Sequence, residues 1–116
     1  YKRQYEIGAF RSSKKAYYAY FLPETLRLIR ETARVKVERK AVSCYFSRYG
    51  LTSAKYLRKF AFDKMIELGI PESVADFIQG RVPRRIGAKH YMVLRRQADH
   101  YYPRYVAYIK KIKKQT

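Results

Sequence analysis

Proline and glycine set the segment boundaries of this chain more firmly than any apolar pattern does. Pro23, Gly50, Gly69, Pro71 and Gly80 fall at the ends of runs with helical periodicity, and neither residue type interrupts those runs. Proline lacks the N–H that a strand ladder or helix interior uses, yet it fits a first helical turn; glycine supports the left-handed cap beyond a last turn. The sequence after residue 22 is therefore cut into short helices. Pro23-Glu24 opens one, with Leu26, Ile29 and Ala33 following at helical spacing. Val37 to Tyr49 is a second, carrying Ala41, Cys44, Tyr45 and Tyr49 on one stripe. Thr52-Ser53 offers an N-cap for a third that reaches Leu68, with Leu57, Phe60, Ala61, Met65 and Leu68 as its buried face. Pro71-Glu72 opens a short fourth, with Val74, Phe77 and Ile78 inward.

The ends follow different rules. Tyr5, Ile7 and Ala9 alternate, Arg11 to Lys15 is polar, and Ala16 to Leu22 is an aromatic-rich run that Pro23 stops, which predicts a β-hairpin. Arg81-Val82-Pro83-Arg84-Arg85 is a basic loop, followed by a segment around Ala88 to Leu94. Gln97 to Lys114 is helical in pattern, interrupted or kinked near Pro103, with Tyr105, Val106, Tyr108, Ile109 and Ile112 as an apolar stripe. The expectation is one domain, mainly α with a small N-terminal β-hairpin (α+β): residues 1–22 the hairpin, 23–116 helical.

Charge narrows the function. The 116 residues hold 27 Lys and Arg against 9 Asp and Glu, a formal charge of +18. Such a field gathers anions, and the abundant ones are nucleic acid and anionic lipid. No apolar run approaches the roughly 20 residues needed to cross a bilayer, and the basic residues are not gathered on one amphipathic helix as a membrane-surface role requires. No signal-like stretch follows the N-terminus, and Cys44 is the single cysteine, so an intracellular chain without internal disulfide or zinc cluster is expected. The acids pair closely only as Asp63/Glu67 and Glu72/Asp76, both at i,i+4 spacing on helices, where exposed charges on a solvated face are the ordinary reading. Two-metal phosphate chemistry needs several converging carboxylates, so no metal and no cofactor are expected.

Phosphate chemistry without metal calls for cations and a nucleophile. Lys55 and Arg58 are three apart on one helix and share a face, with Leu57 and Ala61 beside it to fix that face against the core. Arg81 follows immediately after Gly80, and Tyr91 lies ten residues further on. In their local contexts, Leu57-Arg58-Lys59-Phe60-Ala61-Phe62, Leu68-Gly69-Ile70-Pro71, Ile78-Gln79-Gly80-Arg81 and His90-Tyr91, these residues resemble the C-terminal half of a tyrosine recombinase (phage-type integrase) over residues 5–94. Lys55-Tyr56-Leu57-Arg58 and Gln79-Gly80-Arg81 are most similar to the archaeal fusellovirus integrases, where Lys-x-x-Arg and Gln-Gly-Arg stand for the wider family's His-x-x-Arg and Leu-Gly-His.

The resemblance implies a DNA integrase that cuts and rejoins double-stranded attachment sites through a 3′-phosphotyrosine, virus- or plasmid-encoded and acting on the host chromosome in the cytoplasm. Tyr91 would be the nucleophile, Arg58 and Arg81 the phosphate clamps, Lys55 a further cation, and Lys15 or Lys14 the general acid. Lys14, Arg84, Arg85 and His90 would contact DNA. A homo-tetramer on DNA, monomeric or dimeric when free, is implied too. The family's first catalytic arginine belongs to a helix before the hairpin, so the sequence is expected to be the C-terminal part of a longer catalytic domain. Two rivals stay open: a non-catalytic helix-turn-helix DNA-binding protein built on Thr52–Leu68 and Pro71–Gln79, and a type IB topoisomerase.

Overall fold

The computed structural model describes residues 4–11, 14–83 and 85–115, with side chains from Tyr17 onward. Strands β1 (Gln4–Arg11) and β2 (Lys14–Tyr20) form the expected antiparallel hairpin, with Gln4 opposite Tyr20, Arg11 opposite Lys14 and a register irregularity between Glu6 and Ala9. Five helices follow: α1 (Pro23–Thr32), α2 (Arg39–Arg48), α3 (Ala54–Glu67), α4 (Glu72–Ile78) and α5 (Ala88–Gln115). The chain is thus mainly helical. The basic loop before α5 contains one further strand, β3 (Val82–Pro83), which pairs antiparallel with β2 through Lys15–Val82 and Lys14–Pro83. A two-residue strand has no periodicity, and Pro83 argues against one, so only its position beside β2 creates it.

The core lies where α4 crosses α5 under the hairpin. Along α5, Tyr91, Leu94, Ala98, Tyr102 and Val106 are buried, a stripe at three- and four-residue spacing that faces α4 and β2. Val74, Ala75 and Phe77 of α4, together with Met65, Ile70 and Val82, complete it, and Tyr17, Tyr18, Tyr20 and Phe62 pack around its edge. Each large apolar side chain removed from water contributes about 1.5–3 kcal/mol. That burial also explains why Pro103 does not interrupt α5. The helix runs continuously through it, with buried Tyr102 and Val106 on either side offsetting a lost main-chain hydrogen bond and ring clash.

Two expectations are corrected. Leu57 and Phe60 of α3 are 49% and 46% exposed, Ala61 and Leu68 are half-buried, and only Met65 is in the core. Every residue of α1 and α2 except half-buried Leu26 and Phe46 is exposed, so the stripe of Ala41, Cys44, Tyr45 and Tyr49 covers nothing. An amphipathic pattern announces a face that can be covered, and among the described residues no element lies over these. Ser53 sits at the N-cap of α3 in extended conformation but makes no side-chain capping bond. Among the described residues, no helix is long and apolar enough to cross a membrane.

Candidate functional site

The end of α4 sets the position of Arg81. Gly80 takes a left-handed φ of 72°, which turns the chain sharply and satisfies the last carbonyls of the helix. The Gly80 N–H donates to Phe77 O (3.0 Å) and the Arg81 N–H to Asp76 O (2.8 Å), the paired bonds of a Schellman cap. The main chain then enters β3 and is pinned to β2, so Arg81 is held on both sides. Its exposed side chain puts the guanidinium 5.9 Å from the Phe62 ring centre. Phe62 lies one turn beyond Arg58 on α3, so Arg81 lies across the face that carries Arg58.

Arg58 is held by Gln79. Its guanidinium donates to the main-chain oxygen of Gln79, and Gln79 Nε2 donates in return to the main-chain oxygen of Arg58 at 2.8 Å. Partial burial, and next the charge of Arg81, hold the Arg58 guanidinium below its ordinary pKa. Two like charges kept together in this way repel each other, and an anion between them relieves the cost. This linkage replaces the anchoring expected of Leu57, which is exposed. The sequence motif Gln79-Gly80-Arg81 includes Gln79 but gave it no role of its own.

The hairpin brings Lys14 and Lys15 to the same place at the level of the main chain. Their residues are the β2 partners of Pro83 and Val82, next to Arg81; their side chains lie outside the described residues. Lys55, one turn before Arg58, is exposed with its ammonium 5.9 Å from the Tyr56 ring. Arg85, before α5, and His90, in its first turn, are exposed, and Arg84 lies outside the described residues. Arg58, Arg81 and the main chain of the Lys14–Lys15 end of the hairpin are therefore brought close together.

Tyr91 sits differently. It is 4% exposed, its ring packed against those of Phe77 (4.8 Å between centres) and Tyr17 (5.1 Å, edge-on). Its hydroxyl accepts a 2.8 Å hydrogen bond from the main-chain N–H of Tyr17. Burial pushes the phenol above its ordinary pKa, while the backbone groups of Tyr17 and Tyr18 draw it the other way. In this arrangement a DNA backbone has no access to the oxygen. Tyr17 is a residue that sequence reasoning missed, because its contribution is a main-chain N–H and not a side chain.

The structure is mainly helical, with a hairpin beside the paired guanidiniums of Arg58 and Arg81, and comparison says which family has this sequence. The model of the archaeal phage integrase family matches residues 3–108. The chain belongs to that family, which carries integrase function and DNA binding with it. No curated protein and no solved structure matches the chain. Among the described residues no group of three or more His, Cys, Asp or Glu side chains could hold a metal ion.

Proposed function

We propose that this chain carries the catalytic residues of a tyrosine-type site-specific recombinase. On this reading it cuts and rejoins attachment-site DNA, needs neither metal nor ATP, and serves integration of viral or plasmid DNA into a host chromosome. The observation that carries the proposal is the convergence of Arg58, Arg81 and the Lys14–Lys15 end of the hairpin, separate stretches whose shared chemistry is phosphate.

The reaction asks the protein mainly for position and charge. Arg58 and Arg81 bind the non-bridging oxygens of the scissile phosphate from two sides; guanidinium keeps its proton at any working pH, so both act as clamps. Lys55 adds a third cation. The Tyr91 oxygen attacks phosphorus, the P–O5′ bond breaks, and a 3′-phosphotyrosyl ester forms. The phenol gives up its proton, and the departing O5′ receives one from Lys15 or Lys14. A 5′-hydroxyl from a second strand then reverses the chemistry, so the bond energy is kept and strands are exchanged. Arg84, Arg85, His90 and Lys14 neutralise neighbouring phosphates. A tetramer on paired sites fits this scheme.

Because Tyr91 is buried against β2, attack requires the first turn of α5 to withdraw from the hairpin. The same burial favours one rival, a non-catalytic DNA-binding module in which α3 and α4 engage DNA and Tyr91 only packs. A substrate nicked near the scissile phosphate, incubated with the full-length protein, separates the two. Recombinase chemistry predicts a covalent adduct mapping to the Tyr91 peptide and absent in Tyr91→Phe, with DNA binding retained. A protein that binds the site and yields no adduct supports the module.

A further inference from the structure

The α3 half that carries Arg58 is poorly anchored by packing. Ala54 to Phe60 are all exposed, and the helix's one buried residue, Met65, lies two turns further on. Among the described residues, the two reciprocal bonds with Gln79, 21 residues away in sequence, tie that half down. We propose that Gln79 is a positioning residue for cleavage, one that fixes the separation of the Arg58 and Arg81 guanidiniums without touching DNA; this rests on the cleavage reading above.

The bonding pattern supports a role beyond stability. Gln79 Nε2 is used on the Arg58 carbonyl, while Gln79 Oε1 is buried without a partner among the described residues. An orphaned buried acceptor costs about 1–3 kcal/mol, so an apolar side chain of similar shape would serve packing better. Turning the amide over would aim Oε1 at the Arg58 carbonyl oxygen, acceptor against acceptor. The amide earns its place through the N–H that holds the Arg58 backbone. Gln79 is also the C-cap of α4, with φ −85° and ψ 4°, two residues before Arg81. One residue therefore bonds to the first arginine and leads directly into the turn that places the second.

The test uses the full-length integrase and a nicked suicide substrate under single-turnover conditions, with Gln79→Met and Gln79→Glu. Gln79→Met removes the donor and the orphaned acceptor together. At saturating DNA, adduct formation should slow about tenfold or more, the scale at which a displaced transition-state contact is felt, while DNA affinity and the thermal midpoint stay close to wild type. Placing a neutral methylphosphonate at the scissile position removes the charge that the guanidiniums neutralise, so the gap between variant and wild type should close. A merely structural role leaves that gap unchanged. Gln79→Glu supplies an independent arm should the methionine variant not fold. Ionised, it has no donor for the Arg58 carbonyl; protonated, its single O–H can take the place of the amide N–H that glutamine gives to that carbonyl. Its rate relative to wild type should therefore rise on acidification. Wild-type cleavage by Gln79→Met, a gap unchanged on methylphosphonate, or a flat relative pH profile in Gln79→Glu overturns the assignment. If Arg58→Ala cleaves normally as well, it is the cleavage reading that fails.

Discussion

The hydroxyl of Tyr91 accepts a hydrogen bond from the Tyr17 main-chain N–H at 2.8 Å, so the phenol proposed to attack DNA also fastens α5 to β2. Tyr91→Phe removes both roles at once, and two measurements tell their losses apart. It leaves the Tyr17 N–H without its acceptor in a part-buried place, which should cost about 1–3 kcal/mol. Urea unfolding monitored by circular dichroism measures that loss, and covalent capture on nicked DNA measures the chemical one.

Arg58 should behave oppositely. Arg58→Ala removes a guanidinium repelled by Arg81 together with its bond to the Gln79 main-chain oxygen; the two losses oppose each other, so the midpoint of thermal unfolding should move little. Adduct formation should fall about 10²–10³-fold, the usual consequence of losing one donor to a developing oxyanion. Arg58→Lys should fail to restore it, because an ammonium cannot present two parallel N–H groups. Rates on nicked substrate for the three proteins check both statements.

Alkali should unfold this protein through its tyrosines. Burial, then Asp99, raises the Tyr20 pKa; burial dominates the raised values of Tyr91 and Tyr105. A raised phenol pKa means the fold prefers the protonated form. Its contribution is complete below the ordinary value near ~10 and is lost as pH climbs through the folded values. Stability should fall steeply above about pH 10, with cooperative growth of tyrosinate absorbance. A stability profile that stays level there contradicts the burial of these rings.

Packing predicts a sharp contrast between α4 and α3. Phe77 is 2% exposed, and Phe77→Ala should cost about 3–5 kcal/mol. Leu57 is 49% exposed, and Leu57→Ala should change stability by no more than about 0.5 kcal/mol. Denaturant midpoints for the two variants decide this.

That contrast marks how far the sequence can be read. Pro23, Gly50, Gly69, Pro71 and Gly80 announced the helix ends because they act locally, through φ and a missing N–H. The hairpin was legible in the alternation before Pro23 and in its aromatic second half. Which apolar stripe meets the core is a tertiary matter: Phe77 and Leu57 look alike in a helical pattern, and only α5 lying over α4 distinguishes them. β3 was hidden for the same reason. For the proposed site, local context and family resemblance nominated Arg58, Arg81 and Lys14 or Lys15, whose main chains the fold brings close together. The Gln79 clamp and the Tyr17 N–H were not legible, since each depends on a main-chain group that every residue possesses.

The strand pairing beside Arg81 has a kinetic consequence. Tyr17 and Tyr91 are 74 positions apart, and the β2–β3 ladder spans almost as much chain. Closing a loop of that size costs entropy before any contact repays it. The hydrogen bonds of α3 and α4 join near neighbours in the chain, but the strand that orients the second arginine acquires its place only when distant parts of the chain meet. Assembly of the phosphate-binding surface is thus among the last events on the route to the native state.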